Sequence, residues 1–200
     1  METLSPPAGR RIELLYHFCR LQIPEVTLSQ EVCSRHLQRT YGLYRKGQPQ
    51  ANMESYLDNL YPLNWFVACG CLEGNGRAWE HLFAARAGRS DCLLVDGLRL
   101  RAARFFPRNE ERQESEVSEF WSLLYVAEKE GGLPILARYD GARPLVTWLL
   151  RVFHNWTVSK LRPASVAKDL TPEEWDRQPP GRFHRDSAGR LQPVRRCQCS

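Results

Sequence analysis

The stretch LARYDGARPLVTWLLRVFHNWTVSKLR, residues 136–162, combines a turn, a long amphipathic pattern and clustered positive charge. Gly141 marks the turn, and Pro144 has the fixed φ that suits the first turn of a helix. Pro163 cannot continue a helix, so the predicted helix ends at about Arg162. One wide apolar stripe at helical spacing is formed by Leu145, Trp148, Leu149, Val152, Phe153 and Trp156. This face must therefore pack against other helices.

The polar side chains of the same predicted helix fall on a second face. Thr147, Arg151, Asn155 and Ser159 recur at steps of four residues. Further donors around that face and at its ends are Arg143, His154, Lys160 and Arg162. Such a surface can bind phosphates and reach the edges of bases. The alternative is a buried helix with a solvated polar side, and pattern alone favours it because most charged helix faces are only solvated.

A second apolar pattern, ESYLDNLYPLNWFVACGCLEGNGRAWEHLF, covers residues 54–83. It predicts two short helices separated by a break at the glycines of Gly74-Asn75-Gly76. The residues at helical spacing are Leu63, Phe66, Val67 and Cys71 before the break, and Ala78, Trp79, Leu82 and Phe83 after it. This pattern by itself indicates a corner of a helical bundle.

A third segment, ESEVSEFWSLLYVAEKEGG, covers residues 114–132 and predicts an acidic amphipathic helix. Its apolar stripe consists of Val117, Phe120, Trp121, Leu124 and Tyr125. Glu114, Ser118, Glu119 and Ser122 point away from that stripe, and the glycines at 131 and 132 are expected to end the helix. With residues 63–106 and 145–161, this segment predicts an all-α bundle in which Trp79, Trp121 and Trp148 belong to the core.

The distribution of charge along the chain is more informative about possible partners than the net charge. The net charge of +5 permits an anionic partner without requiring one. Residues 110–119 form an acidic block, whereas residues 136–162 contain a single acid, Asp140. We therefore expect two different partners. The turn-rich KGQPQ at 46–50 and the Pro-rich end divide the chain into a helical hairpin (1–50), a main domain (51–165) and an irregular tail (166–200).

Cysteine usage and the absence of enzyme motifs in the sequence limit the classes of function that we expect. Seven cysteines, no signal peptide and no apolar run long enough for a bilayer favour a reducing cytoplasm and no membrane contact. The pairs at 69/71 and 197/199 have one-residue spacing, which is unusual for zinc, so we expect no metal. The histidines have no metal spacing, and there is no phosphate loop or nucleophile motif. We expect no cofactor and no enzyme activity.

Residues 56–165 resemble region 2 of bacterial RNA polymerase sigma factors of the extracytoplasmic-function type. The last part of that region corresponds to a YDG turn, a short gap, and then Trp148, Leu149, Asn155, Leu161 and Arg162. Its opening corresponds to Ala68, Cys69, Cys71, Gly74, Ala78, Trp79, Glu80 and Phe83. The resemblance implies a sigma region 2 helical bundle, preceded here by a helical hairpin and followed by a largely irregular tail.

The resemblance implies a role for the turn and the basic helix in binding promoter DNA. A base of the non-template strand would be unstacked and captured beside the turn, where Tyr139 is the nearest aromatic ring. Asn155 is expected to contact a base edge, or else to bind the backbone of a neighbouring helix. The predicted DNA-binding residues are Arg138, Tyr139, Arg143, Arg151, Asn155, Ser159, Lys160 and Arg162.

The same resemblance assigns the acidic helix to the polymerase. In the family this helix is the main contact with the clamp coiled coil of the β′ subunit. The implied polymerase-binding residues are Glu114, Ser115, Ser118, Glu119 and Ser122. The family prefers Asp and Gln where Ser115 and Ser118 stand. The alternative is a solvated acidic helix end, since acids near a helix N-terminus are favourable without any partner.

Two functions follow from the resemblance. The first is a sigma factor that binds core RNA polymerase and recognises and melts the minus-ten promoter element, with an anti-sigma protein as a further partner. The second is a sigma-like helical module or truncated decoy that binds polymerase without recognising a promoter. The cations concentrated on the basic helix favour the first. Complete family members continue into region 4, so we expect a region-2-only protein, or a truncated or frameshifted one.

Overall fold

The computed structural model describes residues 6–87, 92–127 and 131–161, together with the backbone of 183–185 and 191–193. Most of these residues are helical, which confirms the predicted all-α fold class. The α-helices in the described ranges are α1 (Pro6–Gln22), α2 (Gln30–Gly47), α3 (Met53–Asn59), α4 (Pro62–Leu72), α5 (Gly76–Phe83), α6 (Leu94–Phe105), α7 (Glu110–Tyr125) and α8 (Leu145–Leu161). A 3-10 turn, Ile135–Arg138, precedes α8.

Short strands occur in two places where no alternating pattern predicts them. Strand β1 (Arg86–Ala87) pairs antiparallel with β2 (Cys92–Leu93), between α5 and α6. Strand β3 (Phe183–Arg185) pairs in the same way with β4 (Leu191–Pro193). Apart from these two strands, the predicted irregular tail at 166–200 lies outside the described residues.

The chain divides into two compact units, residues 1–147 and 148–200. The first unit contains α1 to α7, the 3-10 turn and the first residues of α8. The second unit contains the rest of α8, in which Trp148, Phe153 and Trp156 are buried. This division falls within a helix, and the boundaries at residues 50 and 165 remain predictions.

Four of the helices in the described ranges begin with a side chain that caps the backbone. In each, the capping oxygen accepts a hydrogen bond from the backbone N–H three residues further along the chain. This interaction satisfies an N–H group that lacks a partner within the helix and contributes about 1 kcal/mol. The capping residues are Ser29, Asn52, Asn75 and Asn109.

The centre of the first unit is α4, in which every residue from Trp65 to Cys71 is buried. The helix is apolar around its circumference because α1, α2, α5 and the 3-10 turn all pack against it. Gly70 is needed where α4 meets α5, since a Cβ atom there would lie 2.6 Å from Cβ of Ala78 and 2.8 Å from Cγ1 of Val26. A larger residue would separate the two helices.

A hydrogen-bonded cluster joins α2 to Glu73, the residue that follows α4. Nε2 of His36 lies 2.7 Å from Oε1 of Glu73, and Arg35 donates to the same oxygen at 3.0 Å. Burial lowers the pKa of His36 below its usual range, and this outweighs the effect of Glu73. The neutral imidazole therefore donates its Nε2–H to the carboxylate. This hydrogen bond in turn lowers the pKa of Glu73.

The predicted N-terminal hairpin is tied to the turn that precedes α8. Arg39 of α2 donates from Nη1 to the carbonyl oxygen of Ala137 at 2.6 Å. The hydroxyl of Thr40, also on α2, accepts from Nε1 of Trp65 at 3.1 Å and lies 2.7 Å from the hydroxyl of Tyr56. The hairpin therefore belongs to the same packed unit as the turn that precedes α8.

Candidate interaction surface

Helix α7 presents the five predicted polymerase-binding residues to solvent. Successive residues of an α-helix are rotated by ~100°, so positions 114, 115, 118, 119 and 122 span an arc of ~140°. Val117, Phe120 and Leu124 lie on the opposite side and are buried. The structure thus gathers on one exposed face Glu114, Ser115, Ser118, Glu119 and Ser122. This set is called the acidic face below.

Glu114 of the acidic face has a partner within the chain. Arg99 of α6 donates from Nε to Oε1 of Glu114 at 2.8 Å and from Nη2 to Oε2 at 3.2 Å. Both side chains are about half exposed, so solvent screens this bidentate pair and it adds little to stability. It neutralises part of the charge at the start of the face and fixes the position of the carboxylate.

Glu116 does not belong to the acidic face. Its side chain is buried, and its carboxylate lies 3.9 Å from Nε of Arg112, one turn earlier. The guanidinium of Arg112 also lies 4.3 Å from the centre of the Phe106 ring, a cation–π distance. The carboxylate of Glu116 therefore interacts within the chain and is not accessible to a partner.

An aromatic cluster lies at the edge of the acidic face, where α5 and α7 meet. Phe83 and Trp121 have ring centres 5.0 Å apart in an edge-to-face arrangement. Trp79 lies 5.9 Å from Phe83 and 6.3 Å from Tyr125. Phe83 is 49% exposed and Tyr125 is 52% exposed. We call Trp79, Phe83, Trp121 and Tyr125 the aromatic cluster.

The prediction that Trp79 and Trp121 belong to the core is wrong. Both rings are only partly buried, because each lies at the margin of its helix's apolar stripe and packs against the partly exposed cluster. Trp148 is buried as predicted. A helical pattern gives the direction of a side chain but does not show whether a further element covers it. The cluster was missed for this reason, although all four rings appear in the predicted stripes.

The turn before α8 does not present Tyr139 for base stacking, so that prediction is wrong. Tyr139 is 1% exposed, and its hydroxyl donates to the carbonyl oxygen of Arg143. Burial raises the pKa of Tyr139 well above its usual range. Gly141 has a φ of +82°, and a Cβ atom there would lie 2.5 Å from Cδ1 of Leu60. The YDG segment is therefore a tightly packed structural turn.

The cations near this turn have different degrees of exposure. Arg138 and Arg143 are partly exposed, and Arg138 donates from Nη2 to the carbonyl oxygen of Leu133 at 2.5 Å. The N-terminus of α8 is capped by a residue that is distant in the sequence, since the N–H of Leu145 donates to Oδ1 of Asn64 at 2.8 Å. These contacts fix the start of the helix in the first unit.

The remaining predicted DNA-binding residues lie on the second unit. Asn155 is 7% exposed, so its amide does not lie on the surface as a base contact requires, and that prediction is wrong. Arg151 and Ser159 are partly exposed. Lys160 is exposed, with its ammonium 4.4 Å from the centre of the Trp156 ring. Arg162 lies outside the described residues.

Four cysteines of the first unit, Cys19, Cys33, Cys69 and Cys71, are enclosed thiols, whereas Cys92 is partly exposed. Cys69 and Cys71 are buried, and burial raises the pKa of Cys71 to about 12, which keeps it protonated. Cys197 and Cys199 lie outside the described residues. In the ranges that the structure describes, no group of three or more Cys, His, Asp or Glu side chains is arranged to bind a metal. None of the described helices is long and apolar enough to cross a membrane.

The comparisons with known proteins give no relative. No protein-family model, no curated protein and no solved structure matches this chain. Function is therefore inferred from the sequence motifs and from the exposed surfaces of the described residues. Among these, the acidic face with its adjoining aromatic cluster combines charge, hydroxyl groups and exposed apolar area in one place.

Proposed function

We propose that this protein is a sigma-like helical module that binds core RNA polymerase through the acidic face of α7. The single observation that carries the proposal is the exposure, on one face of one helix, of all five residues that the family resemblance assigns to polymerase binding. The opposite face of the same helix is buried in the first unit. Helix α7 is thus held in place by packing while its polar side stays accessible.

The adjoining aromatic cluster supplies large apolar side chains, which the acidic face lacks. Exposed charged pairs add little net affinity, but they steer association and fix the orientation of the partner. Large aromatic side chains at the centre of an interface contribute much more. Phe83 and Tyr125 are exposed beside the acidic face and provide such anchors. A polymerase helix that carries basic and apolar residues is complementary to this combined surface.

The enclosed turn favours the decoy version of this proposal over the initiation factor. Capturing an unstacked base requires an accessible aromatic ring beside the turn. Tyr139 is enclosed, and its hydroxyl is already bonded to the carbonyl of Arg143. Asn155 is also enclosed. The partly exposed Arg143 and Arg151 and the exposed Lys160 suit phosphate contacts, which add affinity without reading sequence.

Co-purification with a bacterial core RNA polymerase tests the docking proposal. Replacing Glu119 and Ser118 together by lysine reverses the charge at the middle of the acidic face at two exposed positions. The matched control is Glu54→Lys, an exposed acid on α3. We expect the double variant to lose most of its bound polymerase at low salt and the control to behave like the wild type. Equal recovery of all three proteins would contradict the proposal.

A footprint on a melted promoter fork separates the two versions of the proposal. With core polymerase present, an initiation factor protects the non-template strand in a sequence-dependent way, whereas a decoy gives no more protection than polymerase alone. We expect no added protection. Protection that is lost in Arg151→Ala would instead establish the initiation factor and restore the basic helix as a DNA site. The control substitution for this experiment is Arg45→Ala on α2.

A further inference from the structure

Helix α1 carries an exposed apolar stripe on a basic helix. Leu14, Phe18 and Leu21 are spaced by four and three residues and are 61%, 45% and 79% exposed. Three leucine or phenylalanine side chains in one line form a patch of the kind that marks an interaction site. The helix contains three arginines and one glutamate. The helical repeat places Arg10 and Arg11 on either side of the stripe.

The stripe borders a groove between α1 and α3. The groove has a volume of about 280 Å³ and is lined by Arg11, Leu14, Leu15, Phe18 and Leu57. At its edge, Nη2 of Arg11 lies 2.5 Å from Oδ1 of Asp58. This pair holds the guanidinium beside the apolar side chains. The result is an apolar depression whose margin carries a guanidinium that Asp58 partly neutralises, while the exposed Arg10 adds a further positive charge beside the stripe. This combination suits a helix that offers apolar and acidic residues.

A surface of that chemistry is present on the same protein. Helix α7 contains five glutamates and one arginine, and its acidic face adjoins the exposed rings of Phe83 and Tyr125. The apolar stripe of α1 has arginines at its sides, and the aromatic cluster has glutamates at its side. The two surfaces are therefore complementary in both polarity and charge. Pairing two α1 stripes would instead bring the arginines of both copies together, which is unfavourable.

We propose that this protein associates with a second copy of itself, with the α1 stripe of one copy docked on the aromatic cluster and acidic face of the next. Such a contact joins two different surfaces, so it generates a ring or an open chain of copies. The inference does not rest on the proposed function. Because it uses the acidic face, however, bound polymerase and a bound second copy exclude each other.

Sedimentation of full-length variants across the micromolar range tests this inference. Phe18→Asp disables the α1 stripe, and Phe83→Asp disables the aromatic cluster. We expect the wild type to exceed the monomer mass increasingly with concentration, and each variant to remain monomeric. Leu100→Asp, which replaces a leucine on α6 that is as exposed as Leu14, is the matched control and should behave like the wild type. Circular dichroism of each variant verifies that it is folded.

Mixing the two variants gives the most specific outcome. Each mixture partner keeps one intact surface, so Phe18→Asp and Phe83→Asp together should form a one-to-one dimer that neither forms alone. Isologous contacts between two α1 helices or two clusters cannot produce this result. A monomeric wild type, or a mixture that stays monomeric, would overturn the inference. Binding of the wild type to anionic phospholipid vesicles through Phe18, without self-association, would overturn it in favour of a membrane surface.

Polymerase binding distinguishes failure of this inference from failure of the proposed function. Phe18→Asp leaves the acidic face untouched, so it should bind core polymerase at least as well as the wild type. If self-association is not observed while Phe18→Asp still binds polymerase, only the inference of self-association is wrong. If the dimer forms in the mixture but no variant binds polymerase, only the proposed function is wrong.

Discussion

The hydroxyl of Tyr56 lies 2.9 Å from the carbonyl oxygen of Asp140 and joins α3 directly to the turn before α8. The same hydroxyl lies 2.7 Å from Oγ1 of Thr40, and Nε1 of Trp65 donates to that oxygen at 3.1 Å. The buried hydroxyls of Thr40 on α2 and Tyr56 on α3 thus connect α2, α3, α4 and the YDG turn. The N-terminal hairpin and the segment resembling sigma region 2 are therefore stabilised by a shared network.

Removing the hydroxyl of Thr40 should destabilise the first unit. Thr40→Val keeps the shape of the side chain but leaves the Trp65 N–H and part of the Tyr56 hydroxyl without a buried partner. We expect the free energy of unfolding to fall by about 1–3 kcal/mol. Thr40→Ser keeps the hydroxyl and should cost less than half as much. Urea denaturation followed by tryptophan fluorescence measures both, and equal losses would show that the hydrogen bonds contribute little.

Adding one methyl group at Gly141 should be costly. Alanine there combines a strained φ of +82° with a Cβ atom 2.5 Å from Cδ1 of Leu60. We expect Gly141→Ala to lower the free energy of unfolding by about 2–4 kcal/mol. Gly42 in α2 has no atom within 4 Å of an added Cβ, so Gly42→Ala should instead stabilise the protein by up to about 1 kcal/mol. Thermal denaturation of the pair provides the comparison.

Stability should fall on mild acidification because of His36. Its pKa in the folded protein lies below the ordinary value of 6.5, so the unfolded chain binds the proton first as the pH drops through 6.5. The free energy of unfolding therefore decreases below that pH. Glu73, whose folded pKa also lies below its ordinary 4.5, adds a second loss at lower pH. His36→Gln should flatten the dependence between about pH 7 and 5. An unchanged slope would contradict the assignment.

Two tryptophans on different helices should respond very differently to truncation. Trp148 is 2% exposed, so Trp148→Ala should cost about 3–5 kcal/mol. Trp121 is partly exposed in the aromatic cluster, so Trp121→Ala should cost clearly less. Chemical denaturation of the two variants measures the difference. A cost for Trp121→Ala as large as that for Trp148→Ala would show that this ring is effectively part of the core.

Periodicity in the sequence was sufficient to predict the long helices and the exposed side of α7. The apolar stripe at Val117, Phe120 and Leu124 is buried, and the glutamates and serines of the acidic face are exposed. Helix ends were less accurate, since α7 ends at Tyr125 and not at the glycines near residue 131. The pattern places residues on a helix but carries no information about the point at which packing stops.

The turn before α8 shows what a pattern cannot reveal. Tyr139 follows the four residues of the 3-10 turn and stands two residues before Gly141, which is equally compatible with an exposed ring and an enclosed one. Its burial depends on the surrounding first unit, in which Arg39, Tyr56 and Leu60 come from distant parts of the sequence. Contacts of that kind have no local signal. The role of Thr40 was not predicted for the same reason, because a single threonine within a helix gives no sign of hydrogen bonds to distant residues.

Site-specific photo-crosslinking tests the docking of the acidic face on core RNA polymerase most directly. A photoreactive amino acid replaces Ser118 at the centre of the face, and the control protein carries it in place of Glu54 on α3. After mixing with a bacterial core enzyme and irradiation, we predict a crosslink to the β′ subunit from position 118 and none from position 54. Absence of a crosslink from position 118, or equal crosslinking from both positions, would contradict the account.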